Sequence, residues 1–193
     1  MLRREKSNIS KKIIGYFIGI IMVFSAFGVV FFGFSAGSGG TVKYNGFKFI
    51  DKGNFWSVNV NGREALFTYL PDEVSFINAS AGAIDRLKNV VQIDSTSEFN
   101  DTLAEPIALA QFQMGTALFN FNIFVRSGFT SEHQNFPVIT CGDATQFVPV
   151  IYFRESNATN VHIEGNCVIA EAANAADAIR LKDRLVYGIL GVI

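Results

Sequence analysis

An uncharged run of 22 residues, Ile13 to Phe34, constrains this chain more than any other feature. As an α-helix at about 1.5 Å per residue, the run spans roughly 33 Å, which matches the hydrocarbon core of a bilayer. The sequence therefore predicts one transmembrane helix over residues 13–34. A cleaved signal peptide ending near Gly33-Phe34-Ser35 is the alternative, but the apolar core of a signal peptide is only about 7–15 residues long.

The residues before this run indicate its orientation. The tail, residues 1–12, contains five basic side chains and one acid, Glu5. Positive charge beside a membrane helix stays in the cytoplasm. We therefore expect a protein of the cell membrane with a cytoplasmic tail, a Gly/Ser linker at 35–41 and an extracytoplasmic remainder. The bilayer is then one partner, and Gly15 and Gly19 fit the small-xxx-small pattern of a weak helix homodimer.

Composition excludes some functions for the part beyond the anchor. Of 16 basic and 17 acidic residues, 11 and 16 lie outside the tail, so this part has a net charge of −5. Nucleic-acid binding needs a basic patch, so we expect no nucleic-acid partner. No carboxylate pair, phosphate-binding glycine loop or Ser/His/Asp arrangement can be located. We therefore expect no catalytic residues, no cofactor and no metal, and an enzyme is the less favoured class.

The remainder predicts a mixed α+β fold. Residues 42–71 alternate short β-rich runs with two Asn-Gly pairs, Asn45-Gly46 and Asn61-Gly62, which is the strongest short signal for a β-hairpin. This pattern predicts a β-hairpin meander. Residues 72–193 then alternate strand-like and helix-like segments, with Ser80 as the cap of a short helix. We assign them to one α/β domain.

A long uncharged helix is expected in the middle of that domain. It opens near Asp101 or Thr102, and its body, Ile107 to Asn120, is apolar on most faces, so we expect packing on both sides. A second membrane helix over 107–125 is the alternative, which several amide side chains in the segment disfavour. The last helix, about Asn174 to Leu190, is amphipathic, with Asp177, Arg180, Asp183 and Arg184 on its solvent face.

The two cysteines are the most informative polar pair. On an oxidising outer face two cysteines in a small domain usually form a disulfide, which predicts a structural bond between Cys141 and Cys167. An exchangeable thiol pair is the functional alternative. A metal site formed by Cys141, His162, Cys167 and His133 matches no common ligand spacing, so we do not expect one.

Three Asn-x-Ser/Thr triplets lie on the predicted outer side and are candidate glycosylation sites. They begin at Asn78, Asn100 and Asn157. Their positions are compatible with the predicted topology.

The order of elements from Val90 onward (strand, helix, strand, loop, strand, strand, helix) resembles a thioredoxin-like domain. Val148-Pro149-Val150-Ile151 lies where that family places a cis-proline, so the resemblance implies a cis bond before Pro149. The family's Cys-x-x-Cys belongs near 94–100, where this chain has no cysteine. The resemblance therefore implies the scaffold and disfavours the oxidoreductase activity.

The chain also resembles uncharacterised single-pass membrane proteins of archaea with an extracytoplasmic domain. The shared features are the basic tail, the apolar helix, the hairpin Tyr44-Asn45-Gly46-Phe47, and the segments Thr140-Cys141, Gly165-Asn166-Cys167 and 183–188. This resemblance implies topology and no activity. Our expectation is a membrane-anchored module for protein interaction or envelope assembly, with another envelope protein as partner. The alternative is a thiol–disulfide redox protein using Cys141 and Cys167.

Overall fold

A computed structural model describes residues 39–193; the predicted tail, transmembrane helix and most of the linker lie outside the described residues. Thr41–Ile193 is one compact unit of mixed α+β structure. It begins with the expected meander, a four-stranded antiparallel sheet in the order β1-β2-β3-β4. The strands are β1 Thr41–Tyr44, β2 Phe47–Asp51, β3 Trp56–Val60 and β4 Arg63–Phe67.

Both Asn-Gly pairs form the tight turns that the sequence predicts. Asn45 and Gly46 have φ of 45° and 81°, and Asn61 and Gly62 have φ of 53° and 82°. Two consecutive positive φ values are what a two-residue hairpin turn requires, and Asn and Gly adopt them at the lowest cost. The hairpin prediction is confirmed.

A second sheet has six strands in the order β5-β9-β10-β8-β6-β7. β6 is parallel to β7 and β8, and β8 is parallel to β10, whereas β9 is antiparallel to β10. The strands are β5 Asn78–Ala79, β6 Gln92–Ser97, β7 Phe124–Phe129, β8 Val150–Glu155, β9 Asn160–Glu164 and β10 Cys167–Ala172.

Four α-helices complete the unit: α1 Pro71–Val74, α2 Ala81–Leu87, α3 Ala104–Phe119 and α4 Ala175–Leu190. Ser80 caps α2 as expected, since its Oγ accepts a hydrogen bond from the Ala83 amide. α3 and α4 pack against each other; α3 also contacts β4 and β7, and α4 contacts β10. Both sheets and these helices therefore contribute to one apolar core.

Tyr187 of α4 joins the meander to that core. Its ring stacks on Phe67 with 3.9 Å between centroids and meets Phe49 edge-on at 6.0 Å. The hydroxyl donates a hydrogen bond of 2.7 Å to the Tyr69 carbonyl. Burial raises the pKa of this phenol, so it remains a neutral donor.

The thioredoxin-like order is not confirmed. β9 and β10 are two separate strands of a hairpin, so the chain from Val90 onward contributes five strands to the sheet, whereas the order requires four. No peptide bond within residues 39–193 is cis, which corrects the prediction of a cis bond before Pro149. The Pro149 carbonyl accepts a hydrogen bond of 3.0 Å from the Asp94 amide, which ties this trans segment to β6.

The prediction that Asp177, Arg180, Asp183 and Arg184 form the solvent face of α4 is also corrected. Asp183 is fully buried and Asp177 is 7% exposed, whereas Arg180 and Arg184 are half-buried. Asp177 accepts hydrogen bonds from Asn174 and Thr159, so its carboxylate stabilises the start of the helix. The amphipathic spacing of α4 does not show that Thr159, just before β9, can bind the Asp177 carboxylate.

No helix within residues 39–193 has both the length and the apolar character needed to cross a membrane. The segment for which we considered a second crossing, 107–125, contains most of α3, which ends at Phe119. The segment then turns and enters β7.

Gly128 of β7 lies directly beneath the chain segment 137–139. A Cβ at this position would be 2.3 Å from the Pro137 carbonyl oxygen and 2.9 Å from Ile139. We expect Gly128→Ala to lower the free energy of unfolding by about 1–3 kcal/mol, because backbone has to move to relieve the contact. Urea unfolding measures this change. Gly142→Ala, whose Cβ would be 3.5 Å from its nearest neighbour, is the control, and an equal loss in both variants would contradict the prediction.

Candidate functional site

One side of α3 is apolar and uncovered. Its inner side enters the core through Ile107, Ala110, Met114 and Leu118, which are all fully buried. On the outer side, Phe112 is 71% exposed and Phe119 is 70% exposed. Leu109, 48% exposed, and Thr116 complete a line along the helix, which we call the α3 stripe. The expectation of packing on both sides of α3 is therefore wrong.

A groove of about 240 Å³ separates the α3 stripe from the meander. Phe55 and Leu66, which are 41% and 44% exposed, form its meander side. Leu109 and Phe112 form its α3 side, and Lys182 lines it from α4. This groove has the shape and the apolar walls of a receptor for one large side chain.

A wider groove of about 500 Å³ lies on the other side of the α3 stripe. Phe119 and Gly115 of α3 line it, together with Phe124 and Val125 of β7. Phe124 is 55% exposed. The apolar surface therefore continues from the meander across α3 to the edge of the six-stranded sheet, a size at which exposed apolar patches usually indicate an interaction site.

This surface carries no net charge. The residues lining the wider groove are all uncharged. In the narrower groove the one charged residue is Lys182, whose ammonium group is bonded to the Asp183 carboxylate. A neutral surface in a part of the chain with net charge −5 lets a partner approach without like-charge repulsion.

The predicted disulfide is confirmed: Cys141 and Cys167 are bonded, with 5.1 Å between their Cα atoms. Cys167 begins β10 and is fully buried, and Cys141 begins a 3-10 turn, Cys141–Asp143. The bond holds this turn on the sheet face opposite the core, beside Val150 and Ile169. Hydrogen bonds from the Thr140 amide and hydroxyl lower the pKa of Asp143. This carboxylate therefore stays ionised two residues from Cys141.

The other candidate residues do not join the cysteines. His133 stacks on Phe99, with 4.6 Å between ring centroids, and His162 makes a hydrogen bond of 2.8 Å with the Asn160 side chain. Within the described part of the chain no three His, Cys, Asp or Glu side chains are grouped as metal ligands. Asn78, Asn100 and Asn157 are all exposed, and their glycosylation stays a prediction.

A polar cluster on the outer face of the six-stranded sheet joins charged side chains of β8, β9 and β10. Arg154 bonds Glu171 at 2.7 Å and Glu164 at 3.2 Å, and Asn160 donates a hydrogen bond to Glu171. Burial opposes ionisation of Glu171, but these hydrogen bonds prevail and lower its pKa. The carboxylate of Glu171 is engaged by both partners, so Glu171 serves a stabilising network and is not a free acid or base.

The apolar composition of α3 does not reveal the α3 stripe, because an uncharged helix has the same pattern whether both sides or one side is packed. A signal was present in the spacing of Leu109, Phe112, Thr116 and Phe119, which repeats as 3-4-3 along the helix.

Comparison with known proteins assigns no relative: no family model, no curated protein and no solved structure matches this chain.

Proposed function

We propose that this protein is a membrane-anchored extracytoplasmic module that binds protein through the α3 stripe and the two grooves beside it. The observation that carries the proposal is the exposure of Phe112 and Phe119, at 71% and 70%, beside two apolar grooves. Exposing two phenylalanines forgoes several kcal/mol of burial energy, which a bound partner recovers. Aromatic side chains are also enriched among the residues that dominate binding energies.

The rest of the surface supports binding more than catalysis. Arg154 donates a hydrogen bond to the Glu171 carboxylate, so this acid is already engaged, and Cys167 is buried. The grooves contain hydrocarbon, amide and hydroxyl groups and the side chain of one paired lysine. Such a surface suits an apolar protein segment. The membrane anchor, the extracytoplasmic location and another envelope protein as partner remain part of the proposal.

A thiol–disulfide protein on a thioredoxin-like scaffold is the alternative, and the bond between Cys141 and Cys167 is its support. Exchange requires a thiolate to reach one of the two sulfur atoms. Cys167 is fully buried and Cys141 lies against the same apolar cluster. Burial of the bond therefore favours a structural role.

Photo-crosslinking in the cells that make the protein tests the proposal. We expect p-benzoylphenylalanine at position 112 or 119 of the full chain to form a discrete protein adduct on irradiation, because both side chains project from the α3 stripe. The same probe at position 76 is the matched control, since Phe76 is 62% exposed but lies outside both grooves. Adduct bands on a denaturing gel and mass spectrometry are the measurement. The absence of any protein adduct from 112 and 119, or equal labelling from 76, would overturn the proposal.

A further inference from the structure

We infer that the α3 stripe binds the α3 stripe of a second copy of the chain. Two copies then form an antiparallel twofold dimer through this helix. This inference rests on the proposed function and names the partner of the same surface. It is separate from the helix homodimer expected through Gly15 and Gly19, which lie outside the described residues.

The spacing of the stripe is what a twofold contact requires. Its four residues are separated by three, four and three positions, which reads the same in both directions along α3. In a twofold interface each residue meets its symmetry-related partner position. An antiparallel pair centred near Met114 therefore places Leu109 against Phe119 of the other copy, and Phe112 against Thr116.

The side chains in this register complement one another. Phe112, the most exposed member, meets Thr116, whose hydroxyl already donates a hydrogen bond of 3.0 Å to the Phe112 carbonyl of its own helix. No polar group of Thr116 is then left unpaired by the contact. The spacing of three and four is that of an a/d seam in which knobs pack into holes.

Charge and area are consistent with self-association. Two copies with the same net charge repel each other least where the surface is neutral, as it is here. Phe112, Phe119 and Phe124 expose on the order of 400 Å² per copy, at about 200 Å² for a whole side chain. With the neighbouring leucines on both copies, the interface reaches the ~1,000 Å² of a specific but weak dimer. Anchoring in one membrane raises the effective concentration of the copies.

Cysteine crosslinking of the full chain in lipid vesicles tests the register, since both native cysteines are in the disulfide. A chain with Leu109→Cys is mixed with a chain with Phe119→Cys, and a short bis-maleimide is added. We expect efficient crosslinking of this mixture and little from Leu109→Cys alone, because positions 109 of the two copies are then separated by roughly 15 Å along the axis. Phe76→Cys, at an exposed site outside both grooves, is the control for collisions. Adding Phe112→Ser should lower the crosslinked fraction of the mixture roughly tenfold.

The outcomes separate the two proposals. Crosslinking of Leu109→Cys alone as efficient as that of the mixture, crosslinking equal to that of Phe76→Cys, or no crosslinking at all would overturn the twofold dimer. If the photo-adduct from position 112 contains a different protein and the mixture does not crosslink, the proposed function stands and the dimer is wrong. Quenching of a fluorophore at position 112 by brominated acyl chains, with no protein adduct, would assign the stripe to the bilayer and overturn both.

Discussion

Asp183→Ala is expected to lower the free energy of unfolding by about 3–5 kcal/mol, the cost of removing one partner of a buried ion pair. Asp183 is fully buried, and Lys182, which is 2% exposed, donates to one of its carboxylate oxygens. The other oxygen accepts hydrogen bonds of 3.0 Å and 2.8 Å from the amides of Thr68 and Tyr69. The substitution therefore leaves a buried ammonium group and two amides at the end of β4 without their acceptor. Urea unfolding followed by circular dichroism measures the loss.

Two variants separate the buried charge from the loss of side-chain volume. Lys182→Met combined with Asp183→Asn keeps the shapes and one amide-accepting oxygen, so we expect it to regain most of the stability lost in Asp183→Ala. Asp85→Ala removes an acid from a comparable lysine pair, but Asp85 and Lys88 are exposed and 3.2 Å apart. That change should stay within about 0.5 kcal/mol. A loss in Asp85→Ala as large as that in Asp183→Ala would contradict the argument.

The same carboxylate predicts a pH dependence. Burial raises the pKa of Asp183 from its ordinary value of 3.8 to about 6, against the opposing effect of Lys182 and the two amides. Between these values the unfolded chain releases a proton that the folded chain retains, so this group's contribution to stability falls as the pH rises from 4 to 6. Over the whole titration the fall is on the order of 3 kcal/mol, of which about 2 kcal/mol lies between pH 4 and pH 6. Unfolding experiments at pH 4, 5 and 6 measure this change. We expect the free energy of unfolding of the wild type, minus that of the Lys182→Met/Asp183→Asn variant, to decrease as the pH rises; a constant difference would contradict the prediction.

Local patterns of the sequence predict local structure well in this chain. The Asn-Gly pairs predict both meander turns, Ser80 predicts a helix cap, and a pair of cysteines in one domain predicts the disulfide, because each depends on few neighbouring groups or on a single pairing. The order of the six-stranded sheet depends on long-range pairing, so one strand more or less changes it without a local signal.

The candidate site lies beyond such local reasoning. The apolar length of α3 predicts burial on both sides, and only the placement of the meander and β7 shows which side they leave open. Asp183 follows the spacing of a solvent-facing residue, and only the end of β4, more than 100 positions away in sequence, explains its burial. Both predictions, burial on both sides of α3 and exposure of Asp183, are wrong for one physical reason. The environment of a side chain is decided by elements far along the chain.

Removal of the disulfide by Cys141→Ala with Cys167→Ala is expected to lower the free energy of unfolding by about 3–4 kcal/mol, on the chain-entropy model for a loop of this length. The two cysteines are 26 positions apart. The cluster they join contains few apolar residues beyond Ile139, Val150 and Ile169, so burial of apolar side chains alone holds the loop only weakly on that face of the sheet. For a chain of this size the loss corresponds to a fall in Tm of roughly 10 °C, which calorimetry measures.

Hydrogen exchange locates that loss and distinguishes a structural bond from an exchangeable one. The amides of Phe129 and Ile139, which bond to the Pro137 and Phe129 carbonyls, should lose protection in the double variant. The Val58 and Ala65 amides in the meander should change only as much as global stability does. Reduction of the wild type separates the bond from the lost side-chain atoms, and because Cys167 is buried we expect it to require partial unfolding. Rapid reduction of the folded chain by a mild thiol, with protection at Ile139 unchanged, would contradict the structural role and support the redox alternative.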